Sequence, residues 1–171
     1  MMTRNTPYKS LDSSLPQIRL LRLLPPKNCV GGTKQRPWHT SIYSVETDKR
    51  NYTSDLECTF EIVSLASHPA YETLSNSWAN HYFGDAAGKK PATWDEPAKE
   101  ATNEMATMLL DGEAVEVGLN LAYALAALRT NEPRVLWADA LCIDQGNEGE
   151  KAHQVGLMRE IYRKAETVLD L

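Results

Sequence analysis

Cysteine is scarce in this chain and poorly placed for chemistry. The 171 residues hold three, Cys29, Cys58 and Cys142, an odd number with no CxxC pair. Neither a disulfide framework nor a zinc ribbon follows from that, and free thiols fit a reducing cytoplasm. Histidine is also sparse, with four, and no cluster of His, Cys and acids has metal-ligand spacing. Positive charge is in deficit: 18 Lys and Arg against 23 Asp and Glu leave a net charge of −5. That argues against a nucleic-acid binder held by phosphate contacts. No apolar run approaches the roughly 20 residues a membrane span needs. Arg4 and Lys9 precede no apolar leader, because Leu20-Leu21 is broken by Arg22. Without a leader, Asn51-Tyr52-Thr53 is a sequon by coincidence. A phosphate-cradling Gly-rich loop is missing, and Ser75 has no Gly-x-Ser-x-Gly elbow around it.

What remains is an ordinary globular composition, 42% apolar and 24% charged, at a length that suits one domain with a real core. Residues 1–17 are polar and carry Pro7 and Pro16, which predicts a loose N-terminal arm ahead of a domain over 18–171. Ile18 to Leu24 reads as a strand of imperfect alternation, stopped by Pro25-Pro26. Residues 27–55 read as a surface excursion in which Trp38, Ile42 and Tyr43 are the candidate anchors. Leu56 to Leu65 alternates cleanly, with Leu56, Cys58, Phe60 and Ile62 on one face, a half-buried strand with an antiparallel neighbour. Tyr71 to Trp78 reads as another strand. Residues 79–104 lose periodicity and read as a loop or insertion. Asp111-Gly112 between Met108-Leu109-Leu110 and Ala114 to Val117 predicts a two-residue hairpin. Leu121, Leu125 and Leu128 give Gly118 to Thr130 a helical face, ended by Asn131 and Pro133.

The chemistry concentrates in residues 134–165. Val135-Leu136-Trp137-Ala138 is a short buried strand that meets Asp139. A second apolar run, Ala140 to Ile143, ends on Asp144-Gln145, and a polar link leads into a helix over about 148–165. Val155, Met158, Tyr162 and Ala165 predict its apolar stripe, and Asn147 with Glu150 predicts a capping box. Ligands of open α/β sheets bind at the carboxyl ends of strands, which makes this the candidate site. Each residue has a plain alternative. Asp139 and Asp144 are either ligand-contacting acids or structural pins that accept backbone N–H groups. Glu150 is either a catalytic carboxylate or the capping partner of Asn147. Cys142 paired with His153 would make a nucleophile, but its apolar neighbours favour an inert thiol. Gln145 and Gln154 hydrogen-bond a ligand or each other, and Trp78 and Trp137 are core or pocket wall.

These stretches resemble the fungal heterokaryon incompatibility (HET) domain family. Tyr71, Leu74, Ser75 and Trp78 match its Tyr-x-x-Leu-Ser-Tyr-x-Trp-Gly motif. Asn120, Leu121, Ala124, Leu125, Leu128 and Arg129 match its Asn-Leu…Leu-Arg helix. Trp137, Asp139, Ala140, Cys142, Ile143, Asp144 and Gln145 match its Trp-x-Asp-Ala-x-Cys-Ile-Asn/Asp-Gln motif. Glu150, Gln154, Val155, Met158, Ile161 and Tyr162 follow in the family's order, and Ile18-Arg19-Leu20-Leu21 resembles its lead-in. Two departures stand out: Ala79 replaces the motif glycine, and Asn76 replaces its second aromatic. The family continues past its last strand, so a domain incomplete after residue 171 is expected.

The resemblance implies an α/β fold, a mixed β-sheet with flanking helices, distantly like TIR domains. It implies a role in non-self recognition and programmed cell death through self-association or other death-signalling proteins. By the more remote TIR analogy it also implies a second class of function, cleavage of NAD⁺ as a substrate, with Glu150 or Asp139 as the carboxylate; no cofactor is established.

Overall fold

The computed structural model describes residues 7–27, 55–75 and 105–170. Its centre is one seven-stranded mixed sheet with the order β5-β4-β2-β1-β6-β3-β7. The expected strands from Ile18 and Leu56 are β1 (Gln17–Leu23) and β2 (Glu57–Ser64). They pair antiparallel from Gln17↔Ser64 to Leu23↔Cys58. β1 is central, and four consecutive residues, Ile18 to Leu21, are buried. A strand covered on both faces buries consecutive residues and not alternate ones, which explains its weak alternation. β2 is different: burial along its expected inward face fades from Cys58 through Phe60 to Ile62, which is 37% exposed.

The predicted hairpin is β4 (Met105–Leu110) and β5 (Glu113–Gly118). Asp111 and Gly112 both have positive φ, 52° and 82°, the two-residue turn whose twist matches antiparallel strands. Asp111 also fastens the hairpin to β2. Its Oδ1 accepts the Phe60 N–H (3.0 Å), and its own N–H donates to the Cys58 carbonyl (3.0 Å). Helix α1 (Leu119–Leu128) packs back on β4 and β5 through Leu121, Leu125 and Leu128.

β6 (Arg134–Trp137), β3 (Glu72–Ser75) and β7 (Thr167–Asp170) run parallel, with β3 in the middle. Thr73 sits in register with both Trp137 and Val168, so the Tyr71 and Trp137 motifs lie side by side. Parallel strands of one sheet need a crossover. The link from β6 to β7 supplies it with two helices, α2 (Asp139–Cys142) and α3 (Glu148–Lys164). The second apolar run thus closes a single helical turn.

Helix α3 corrects one expectation. Its fully buried positions are Gln154 and Ile161, and Val155 is 54% exposed, so the inward stripe is rotated by one residue. Tyr162, Met158 and Ala165 are half-buried against the core. The rotation has a polar cause: Gln154 Nε2 donates to the Gln17 carbonyl (2.8 Å), and Tyr71 Oη donates to the Ile161 carbonyl (2.7 Å). An i,i+4 pair, Glu160–Lys164, forms on this helix at 2.9 Å. Trp38, Ile42, Tyr43, Trp78 and the proposed insertion 79–104 lie outside the described residues.

Candidate functional site at the strand ends

The parallel arrangement brings the carboxyl ends of β6, β3 and β7 to one edge of the sheet. Ser75 ends β3 in register with Asp170 on β7. Asp139 follows β6 by two residues and opens α2, where its Oδ1 accepts the Ala140 N–H at 2.7 Å. Tyr162 comes to this edge from α3. Burial and the nearby Asp139 charge raise its phenol, and a hydrogen bond with Ser75 opposes them. The Tyr162 ring meets Trp137 edge-on, 5.7 Å between centroids and 77° between planes, and Trp137 is fully buried. Tyr162 thus links Ser75, by a hydrogen bond, to the buried Trp137 ring, with the Asp139 charge close enough to act on its phenol. A hydroxyl pair beside a carboxylate can hydrogen-bond a polyol or balance a developing positive charge. Gln145 borders the cluster and donates to the Asp139 carbonyl (3.0 Å).

Glu150 belongs to a second, deeper cluster. Asn147 caps α3 by accepting the Glu150 N–H (3.1 Å), but the reciprocal half of a capping box is not made. The Glu150 carboxylate instead takes the Asp144 N–H (2.8 Å) and both terminal nitrogens of Arg19, with Nη2 at 2.8 Å. Arg19 is 1% exposed. Its Nη1 also donates to the Cys142 carbonyl (3.2 Å), its Nη2 to the Lys9 carbonyl, and the Tyr8 ring covers it at 5.0 Å. Burial alone would push the Glu150 carboxyl up. The Arg19 and Asp144 hydrogen bonds and the Arg19 charge outweigh it, so the group stays below its ordinary 4.5. A carboxylate depressed in the fold stabilises it above the unfolded value, and that stabilisation is lost as pH falls through the folded value. Urea midpoints of the wild type are therefore expected to fall on acidification below pH 4.5 more than those of Glu150→Gln. Parallel pH profiles for the two proteins would contradict this.

The remaining candidates turn their polar atoms inward or toward the backbone. Arg129 binds Asp55 (2.8 Å) and the Leu24 carbonyl (3.3 Å), tying the end of α1 to residues at the margins of β1 and β2. Tyr71 is 1% exposed, and burial lifts its phenol to about 12. Cys142 is fully buried, and burial pushes its thiol to about 12. Its sulfur accepts the Ala138 N–H (3.4 Å) and makes no hydrogen bond to His153, whose Nε2 has no partner. Asp144 Oδ1 accepts the Gly146 N–H (3.0 Å). Gln145 and Gln154 each bond backbone and not one another. Trp78 lies outside the described residues. Among the described residues no group of three His, Cys, Asp or Glu could hold a metal ion, and no helix is long and apolar enough to cross a membrane.

Three participants escaped the sequence reading: Arg19, Tyr8 and the site role of Tyr162. Arg19 carried a partial signal. Of the two arginines in that apolar run Arg22 stays exposed and Arg19 is buried, and a buried charge must find a carboxylate.

A mixed-sheet α/β domain with a polar cluster outside its parallel strand ends is the class defined so far. The model of the heterokaryon incompatibility protein family (HET) matches residues 71–170. Those residues carry β3 through β7, the strand-end cluster and Glu150. The heterokaryon incompatibility protein 6, OR allele, of Neurospora crassa is 32% identical over 119 residues, 69% of this chain and 16% of the relative. This chain belongs to the heterokaryon incompatibility family, and the match spans only a small part of that relative's length. No solved structure matches.

Proposed function

We propose that the chain acts in fungal non-self recognition as a cytoplasmic death-signalling module, associating with itself or with other death-signalling proteins. The observation that carries this is where the motif side chains place their polar atoms. Tyr71 and Gln154 bind backbone carbonyls, and the Glu150 carboxylate is occupied by Arg19 and Asp144. Side chains used in this way brace a rigid body for recognition.

A second reading has one specific observation in its favour. Asp139, Ser75 and Tyr162 meet at the strand ends, where α/β sheets bind ligands. Cleavage of NAD⁺, with Asp139 offsetting charge that develops on the ribose, is the chemistry proposed for that cluster. One experiment separates the two. The chain is overexpressed in fungal cells while viability is followed, and the purified chain is incubated with NAD⁺. Cell death with no NAD⁺ loss is expected. Asp139→Asn is the informative variant, because Glu150→Gln also removes a buried ion pair. If Asp139→Asn abolishes both NAD⁺ turnover and killing while the fold survives, the association reading is wrong and the enzyme reading takes its place.

A further inference from the structure

The polar arm before β1 is docked. Residues 7–16 have no helix or strand, yet Tyr8 inserts between the Arg19 guanidinium (5.0 Å) and the Phe60 ring (5.5 Å between centroids). Burial, with the Asp144 and Glu150 charges adding to it, pushes its phenol up to about 12. The next residue adds the main-chain part of the contact, with the Lys9 carbonyl accepting from Arg19 Nη2. The slot therefore reads two adjacent features: an aromatic ring, and the following carbonyl in a fixed position. Beyond Lys9 the arm is exposed from Asp12 to Leu15, with Leu15 47% exposed. Its own bonds there are local: the Asp12 N–H to Gln17 Oε1, and the Ser14 N–H to Asp12 Oδ1.

We propose that this slot is an association site and that its partner is the Tyr8–Lys9 segment of a second copy of this chain. The proposal rests on the self-association reading above and gives it a surface. The fit of the occupant is visible within one chain, because the segment that fills the slot is the chain's own. Exchange between copies keeps every slot contact and changes only the exposed connection, which makes it a low-cost route to a dimer. The eight residue-to-residue steps from Lys9 to Gln17 reach about 26 Å when extended, enough to cross to a copy alongside. Pro16, next to β1, stiffens the point from which the arm departs.

The test uses the full chain and a fluorescent peptide of residues 7–16. The wild type is expected to show a concentration-dependent dimer by light scattering, and excess peptide is expected to dissociate it. Tyr8→Ala, checked for folding by circular dichroism, should be monomeric and should bind the peptide saturably. A peptide with Tyr8→Ala should bind about tenfold or more weakly, the loss of one ring-on-guanidinium contact. If Tyr8→Ala does not fold, peptide competition on the wild type decides alone. A dimer insensitive to both Tyr8 and peptide sinks this surface while leaving self-association standing. A wild type that stays monomeric sinks the proposal even if the peptide binds the emptied slot.

Discussion

Replacing Arg19 with methionine is expected to destabilise the fold by about 3–5 kcal/mol, the cost of breaking a buried ion pair from one side. The methionine keeps most of the stem's apolar volume, so the loss isolates the charge. Glu150 would keep the Asp144 N–H but lose two charge-assisted hydrogen bonds. The Cys142 and Lys9 carbonyls would each lose a donor. Folded domains are stable by only about 5–15 kcal/mol, so this one substitution approaches global unfolding. The partner change separates charge from packing. Removing both ends, as Arg19→Met with Glu150→Leu, leaves no unpaired charge and is expected to restore most of the loss. Urea melts of the four proteins in the cycle give the coupling energy. Additive losses in the double variant would mean the pair is not an energetic unit. The position explains the scale: Arg19 is on the central strand, Glu150 is in the first turn of α3, and their bond anchors the crossover to the sheet.

That bond also marks the limit of what the sequence makes legible. Period-two alternation in β2, the Asp111-Gly112 turn and the leucine stripe of α1 are local signals, and each produced its element. The mixed sheet followed from the family resemblance and not from any local pattern. The arm was not legible. Proline and polar content predict a loose arm and give no sign of a ring seated on a guanidinium eleven residues onward. Glu150 was found for a local reason, its spacing from Asn147, while its carboxylate answers to a residue 131 positions away. The α3 stripe failed in the same way. Val155 is the more apolar residue, but the Gln17 carbonyl needed a donor, and Gln154 turned inward to supply it. Long-range polar partners decide such positions, and hydrophobic periodicity carries no record of them.

Trp137 to alanine carries the other large expected effect, a loss of about 3–5 kcal/mol from a lost transfer term plus a cavity. Trp137 is fully buried, its strand pairs with β1 on one side and β3 on the other, and its ring supports Tyr162. For a chain of this size the loss corresponds to a Tm about 6–20 °C lower, with the spread set by how far the neighbours collapse. Two readouts separate collapse from a persistent cavity. If the cavity stays open, added indole binds it and recovers part of the Tm, because a ligand that binds only the folded state stabilises by mass action. If Tyr162 falls into the space, indole does nothing and the Tyr162–Ser75 hydrogen bond at the strand ends is lost. The second outcome would damage the Asp139 cluster without touching any of its polar atoms. A Trp137→Ala protein that melts within about 2 °C of the wild type, less than 1 kcal/mol at this size, would show that the ring is not the floor of that cluster.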